Sequence, residues 1–304
     1  MSDSQAGVAC PAGLARPSAL PLSKLAVELA AIALLCPVLL YAALWNGFPF
    51  VFYDTGAYVL EGLGHSFVPE RSSVYSLLLL YAGGRASLWN VALAQCLMTA
   101  FAIVELARAV RPQTGLLEML AIGAALALFT SIAWCAGQIE PDCATPLLAL
   151  TFYLLAFRLR QVGWVRGVLL LCVAAFATGA HPSNLGLAAG LAACIGAAKL
   201  AGLIWRDLPR PALLPPVLAF ALGLGLVFAA NYSLTHKLFV SRSGTVFLAA
   251  RLMGDGIVKR TLDDICPAQP LKLCAYKDSL PPTADDWLWG DESPFNTLGR
   301  FNGT

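Results

Sequence analysis

The chain has 304 residues, of which 58% are hydrophobic and only 12% are charged. Soluble domains carry about 25% charged residues, so this composition, with a mean hydropathy of +0.71, excludes a soluble enzyme and a disordered regulator. A net charge of +2 lacks the basic excess that nucleic-acid binding needs, and nine cysteines do not make a disulfide-dense secreted module. The sequence therefore predicts an all-α polytopic membrane protein, with membrane lipids and no nucleic acid as partners.

Seven apolar stretches predict transmembrane helices, since about 20 apolar residues cross the hydrocarbon layer. They cover residues 25–45, 88–107, 117–136, 146–157, 168–179, 185–205 and 213–232. The apolar run at 74–82 is too short to span, and it predicts a re-entrant or interfacial helix in the first loop.

Lys and Arg fall unevenly on the two sides of these spans. If the N-terminus is inside, the inside segments hold ten of them: Arg16, Lys24, Arg108, Arg111, Arg158, Arg160, Arg166, Lys199, Arg206 and Arg210. The short outside loops then contain only Arg71 and Arg85. The positive-inside rule predicts an N-in/C-out topology. It has a cytoplasmic arm over 1–24, a transmembrane domain over 25–232, outer loops at 46–87, 137–143 and 181–184, and an outer segment over 233–304.

The outer tail predicts a small folded cap, because prolines and tryptophans follow an amphipathic stretch at 255–266. Cys266 and Cys274 lie in this exported segment, which favours a disulfide; two free thiols are the alternative. The sequence shows no ER signal and is rich in Ala and Leu, so we expect a bacterial inner membrane and a periplasmic C-terminus.

The first outer loop contains FYDTGAY, in which Tyr53 and Tyr58 flank Asp54. An Asp-Thr pair before a helical run is an N-cap pattern, so Asp54 can cap an interfacial helix. It can also serve as a general base. The residues alone leave both interpretations open.

Two further outer loops carry ionisable groups. Glu140 and Asp142 flank Pro141, which keeps Glu140 out of the α region. Two close carboxylates can share a proton or hold a divalent cation; a solvated hairpin loop is the alternative. His181 stands between two apolar spans, where an ionisable group favours function, although His-Pro-Ser-Asn is also an ordinary turn.

Arg71 lies at the end of the first outer loop, just before two serines and Tyr75. A cation at this interface can bind a lipid phosphate; an Arg–Glu contact without special meaning is the alternative. The sequence has no phosphate-binding glycine loop and no catalytic triad motif. The histidines have no metal-ligand spacing, so no metal site is predicted from them.

An Asp just after the first span, the segment RSSVYSLLLLYAGG at 71–84 and the span that follows it resemble the GT-C superfamily of membrane glycosyltransferases. The resemblance covers about residues 20–160. It implies transfer of a sugar from a polyprenyl-phosphate donor to a lipid, glycan or protein hydroxyl at the outer face. The implied site is catalytic at Asp54, Glu140 and Asp142, in some members with a metal, and substrate-binding at Tyr58, Arg71, Tyr75 and His181.

Two other classes of function stay open. A non-catalytic scaffold, or a partner in polysaccharide assembly or export, can use the same topology and the same outer cap. A transporter needs ionisable groups in the middle of its spans, whereas Glu28, Glu105 and Glu118 fall near the predicted inside ends. Oligomeric state does not follow from the residues.

Overall fold

The computed structural model describes residues 22–205, 207–266, 268–269 and 271–299. Most of the predicted cytoplasmic arm, including Arg16, together with Arg206 and residues 300–304, lies outside these ranges. Within them the regular elements are helices, apart from one isolated backbone bridge. The predicted all-α class is therefore confirmed.

The described chain contains both long and short helices. They are α1 (Leu22–Leu39), α2 (Tyr41–Asn46), α3 (Thr55–Gly64), α4 (Ser73–Tyr81), α5 (Leu88–Val110), α6 (Leu116–Phe129), α7 (Ile132–Gly137), α8 (Ala144–Tyr153), α9 (Leu159–Val162), α10 (Trp164–Ala180), α11 (Pro182–Ile204), α12 (Leu214–Thr235), α13 (Gly244–Gly254), α14 (Ile257–Ile265), α15 (Ala284–Trp289) and α16 (Pro294–Thr297). A 3₁₀ turn at Pro141–Cys143 and a π-helical segment at Leu154–Arg158 join α8 and α9 into one element, Pro141–Val162.

Four helical elements among the described residues are long and apolar enough to cross a membrane. They are α5, the element Pro141–Val162, α11 and α12. The helices α6 and α10 are also apolar but shorter, with 14 and 17 residues. This set of apolar helices fits the predicted membrane protein.

Two of the predicted spans are interrupted in the structure. The first is divided between α1 and α2, and Pro37, which lacks a backbone donor and crowds the preceding turn, lies just before the break. The third is divided between α6 and α7. There the Thr130 hydroxyl donates to the Leu126 carbonyl at 2.5 Å and accepts from the Ile132 amide at 3.3 Å. Such side-chain bonds compete with the helical backbone pattern, so α6 ends early.

The long helices pack in two groups that share one hydrophobic core. α1 packs against α5 and α6, while α10 packs against α8 and α12. A glycine permits the approach of α10 and α12, since a Cβ on Gly223 would lie only 2.5 Å from the Cβ of Thr178. Buried apolar residues from α1 through α12 belong to the shared core.

The helices α3 and α4 form a helical hairpin at one end of this bundle. A Cβ on Gly62 would lie 2.2 Å from the backbone carbonyl oxygen of Ser76, so only glycine allows α3 to approach α4 this closely. α4 also packs against α10 and α12. We call α3, α4 and their linker 65–72 the hairpin, and this end of the bundle the hairpin end.

Four charged side chains meet near the opposite end, and we call them the ion-pair cluster. Arg166 of α10 lies 3.3 Å from the carboxylate of Glu28 and 3.4 Å from that of Glu105, and Arg108 pairs with Glu28. The two glutamates are almost fully buried, and the two arginines are 15% exposed. The cluster therefore ties α1, α5 and α10 together.

The tail helices α13, α15 and the segment after them have a small core of their own. Its buried members are Ala250, Met253, Trp287, Leu288 and Phe295. Cys266 and Cys274 lie at disulfide distance in the same tail, with 5.7 Å between their Cα atoms. The predicted cysteine pairing is thus present in the structure.

Candidate functional site

Backbone pairing brings the first two predicted outer loops together at the hairpin end. The Phe50 amide donates to the Gly137 carbonyl at 2.9 Å, and the Ile139 amide donates to the Phe50 carbonyl at 2.9 Å. The ring of Phe50 also stacks on Trp134, with 4.9 Å between ring centroids. This bridge holds the loop that contains Glu140 against the loop that contains Asp54.

Asp54 stands at the N-cap position of α3, but its side chain does not cap the helix. Its carboxylate instead accepts a hydrogen bond from Nη2 of Arg71, 17 residues later in the chain. The Asp54 side chain is 35% exposed and that of Arg71 is 14% exposed. The side chain of Asp54 thus does not make the predicted cap but an ion pair, and its role as a general base stays a prediction.

Glu140 is the buried acid of the site. Its carboxylate accepts a hydrogen bond from the Thr55 hydroxyl at 3.0 Å, in competition with the Ile139 carbonyl at 3.1 Å. Burial is the main cause that raises the pKa of Glu140 to about 7; the Thr55 bond and Arg71 oppose the rise, and the charges of Asp54 and Asp142 add to it. Near neutral pH this carboxyl group can therefore both give and take a proton.

The other two predicted loop residues lie within electrostatic reach of the same place. Asp142 is exposed in the turn after Glu140. His181 accepts at Nδ1 from the Ser183 amide at 3.2 Å, and so caps α11. Burial lowers the pKa of His181, against the opposing charge of Asp142. At neutral pH its imidazole is consequently uncharged.

Arg71 and Asp54 act on the pKa of both Glu140 and His181. The structure thus gathers the five predicted ionisable residues in one neighbourhood, which we call the hairpin-end site: Asp54, Arg71, Glu140, Asp142 and His181. Groups of three or more His, Cys, Asp or Glu that could hold a metal ion are not found in the described part of the chain. A divalent cation held by Glu140 and Asp142 therefore stays a prediction.

The two predicted tyrosines lie beneath the site rather than at its surface. Tyr58 and Tyr75 are almost fully buried, and their rings meet edge to face with 4.9 Å between centroids. Burial is the main cause that raises the pKa of Tyr58. The Tyr75 hydroxyl donates to the side-chain oxygen of Gln95. In this arrangement the tyrosines support the hairpin, and their contact with a substrate stays a prediction.

Sequence reasoning missed two residues that build the site. Thr55 bonds Glu140, and Gln95 holds Tyr75 while its amide donates to the Gln138 carbonyl at 2.8 Å. Gln95 is a polar residue inside an apolar helix, which was a usable signal. Thr55 offered none, because its partner lies 85 residues away in the sequence.

Comparisons with protein-family models, with curated proteins and with solved structures find no match to this chain. The GT-C resemblance therefore depends on the short segments at 52–58 and 71–84. Function has to be inferred from the geometry and charge of the hairpin-end site.

Proposed function

We propose that the chain is an integral membrane glycosyltransferase of the GT-C type. It transfers a sugar from a polyprenyl-phosphate donor to a hydroxyl group of a lipid, glycan or protein. The observation that supports this most is the meeting of two loop acids, Asp54 and Glu140, with the cation Arg71. Sugar transfer needs a base for the acceptor hydroxyl and a positive group for the donor phosphate.

The proposal includes a topology. Its seven spans are α1, α5, α6, the element Pro141–Val162, α10, α11 and α12, with the N-terminus inside. The hairpin is then an interfacial element on the outer face of a bacterial inner membrane, and the tail is a periplasmic cap. The distribution of Lys and Arg supports this orientation. The 14 residues of α6 reach only about 21 Å, so α7 completes that crossing.

The residues divide the chemistry as follows. Arg71 binds the donor phosphate, and that phosphate competes with Asp54 for the same guanidinium group. The carboxylate of Asp54 is thereby released to take the proton of the acceptor hydroxyl. Glu140, with a pKa near neutrality, is the second group able to relay that proton. Placing acids beside the lipid phosphate brings the base to the reacting sugar.

A non-catalytic scaffold is the second candidate, and two observations favour it. The Asp54 carboxylate is already engaged by Arg71, and Tyr58 and Tyr75 are buried. The hairpin end then serves to hold its loops in place, and the exposed tail is the surface that meets a partner.

The deciding experiment measures sugar transfer by the protein in lipid vesicles, with a panel of polyprenyl-phosphate sugars as donors. We expect Asp54→Asn to lower the rate by about 10²–10⁴-fold, as the loss of a general base does. Glu70→Gln is the matched control, because it removes a negative charge from the same loop and leaves the Asp54–Arg71 pair in place. Reactions with and without a chelator decide whether Glu140 and Asp142 use a divalent cation.

Two results would contradict the proposal or its assignment. Folded wild-type protein that transfers no sugar from any donor favours the scaffold. Transfer that survives Asp54→Asn but is lost in Glu140→Gln moves the role of base to Glu140.

A further inference from the structure

A second buried acid lies in the hairpin, outside the hairpin-end site. The side chain of Glu61 in α3 is completely buried. Within the described ranges Glu61 forms no ion pair. The charged group that acts on it most is Glu70, which is another acid, and burial raises the pKa of Glu61. An ionised carboxylate in such a place is costly.

Three donors of the hairpin surround this carboxyl group. The Ser76 hydroxyl lies 2.5 Å from Oε2 of Glu61, and the Ser73 hydroxyl lies 3.0 Å from Oε1. The Val68 amide lies 3.3 Å from Oε1. The last two share one oxygen, so the environment of Oε1 depends on where the Ser73 proton points.

The Ser73 hydroxyl has a second neighbour, so its single proton has two possible acceptors. Its Oγ also lies 2.9 Å from Oδ1 of Asn231 in α12. The amide group of Asn231 is fixed, because its Nδ2 donates to the carbonyls of Phe239 at 2.7 Å and Val240 at 3.4 Å. Oδ1 therefore faces Ser73 and needs a donor. One hydroxyl proton cannot serve both Asn231 and an ionised Glu61.

We propose that Glu61 carries a proton at neutral pH, and that this proton latches the hairpin to α12 and to the tail segment that follows it. Glu61 donates to Ser73, Ser73 donates to Asn231, and Asn231 donates to the Phe239 carbonyl. Every group in this chain then has a partner.

The latched tail segment is residues 237–243, which we call the strap. The strap also meets the hairpin through its own side chains. The Arg242 guanidinium lies 5.3 Å from the ring centroid of Phe67, in the hairpin linker, and 4.7 Å from that of Phe239. The two rings meet edge to face at 5.6 Å. Loss of the latch therefore loosens a contact on which the strap depends.

Deprotonation reverses the chain of bonds. When Glu61 releases its proton to water, the Ser73 proton turns toward the carboxylate. Oδ1 of Asn231 then loses its donor, and the anchor of the strap is weakened. The latch holds below the pKa of Glu61 and opens as the pH rises through it. It belongs to the hairpin whether or not the protein transfers sugar.

Limited proteolysis of the full chain in lipid tests the latch. Trypsin can cut the strap after Lys237 and after Arg242, and the fragments identify each cut by mass. We expect strap cleavage of the wild type, relative to Glu61→Gln, to rise about tenfold from about pH 6 to about pH 9. The comparison at each pH removes the pH dependence of trypsin itself. Glu118→Gln is the matched control, because it removes the same charge from a residue that pairs with Arg111 away from the hairpin, and it should follow the wild type.

Infrared spectroscopy tests the proton directly. Glu140, with a pKa of about 7, gives a protonated-carboxyl band in both the wild type and Glu61→Gln. At neutral pH the difference spectrum of these two proteins should contain a further such band from Glu61, which Glu118→Gln retains. Absence of this band overturns the proposal, and so does strap cleavage that is equal in the wild type and Glu61→Gln at every pH. If Glu61→Gln does not fold, Ser73→Ala replaces it in the proteolysis, and it should leave the strap as open at about pH 6 as the wild type is at about pH 9.

Discussion

The two ends of the helical bundle differ in the balance between their acidic and basic side chains. In the ion-pair cluster two glutamates face two arginines, so the charges balance. The hairpin-end site has three acids, Asp54, Glu140 and Asp142, and one arginine, Arg71, while His181 is uncharged at neutral pH. The ion-pair cluster is therefore neutral in sum, whereas the hairpin-end site has more acids than cations.

This difference separates a structural role from a chemical one. A balanced buried cluster ties its helices together, and removal of one partner leaves an uncompensated buried charge. A site with excess acid holds at least one carboxyl group near its titration point, as Glu140 shows, and perturbed titration is typical of functional sites. Buried charge alone is therefore not a sign of function, and it is the excess of acid that favours a chemical role for the hairpin-end site.

The largest effect should come from removing one charge of the ion-pair cluster. Arg166→Ala leaves Glu105 without its partner and Glu28 with one arginine instead of two. We expect the free energy of unfolding to fall by about 3–5 kcal/mol, measured by thermal or denaturant unfolding in detergent. An unchanged stability would show that water reaches the cluster and that the contrast between the two ends is weaker than described.

A smaller, pH-dependent effect should appear at the hairpin end. The folded pKa of Glu140 is about 7, above its ordinary value of 4.5, so the folded state holds this proton more tightly than the unfolded chain does. The stabilisation is complete below about pH 4.5 and is lost as the pH rises through about 7. Glu140→Gln cannot lose a proton, so its free energy of unfolding should exceed that of the wild type at about pH 8, by on the order of 2–3 kcal/mol.

Denaturant unfolding of both proteins at about pH 5 and about pH 8 measures this effect. The difference between them should be small at the lower pH and should grow toward the higher one. A constant difference would mean that Glu140 titrates at its ordinary pKa and that the site is better solvated than its burial indicates.

The smallest effect should come from an exposed ion pair at the same end of the bundle as the ion-pair cluster. Arg111 and Glu118 are 3.0 Å apart, but their side chains are 68% and 45% exposed. Arg111→Ala removes the partner of Glu118, and it should lower the free energy of unfolding by only about 0–1 kcal/mol. This variant is the control for Arg166→Ala, because it deletes the same residue type near the same end. If Arg111→Ala lost as much stability as Arg166→Ala, the loss would be due to the position of the residue in the bundle and not to its burial.

The helical class, the polar loops and the cysteine pair could be predicted because each depends on local sequence. Apolar runs predict helices, and a loop acid such as Asp54 or Glu140 is visible as a charge between them. The spacing of Cys266 and Cys274 favoured a disulfide over two free thiols, and the two residues lie at that distance. These features need no knowledge of how distant segments meet.

The partners within the site could not be predicted, because they depend on packing between distant segments. The pairing of Phe50 with Gln138 and the bond from Thr55 to Glu140 join residues more than 80 positions apart. The break within the third predicted span was also not foreseen, since Thr130 ends α6 with a side-chain bond that hydropathy does not reveal. Glu28 and Glu105 were recognised as lying near one end, but not as one cluster.

The contact between Ser73 and Asn231 has a consequence for the order in which the protein is made. The two residues are 158 positions apart, and chains grow at about 5–20 residues per second. The hairpin is thus synthesised about 8–30 s before α12 supplies its partner. During that interval Glu61 and Ser73 must be satisfied by water or by the machinery that inserts the chain. The hairpin is therefore made well before the helix that completes it.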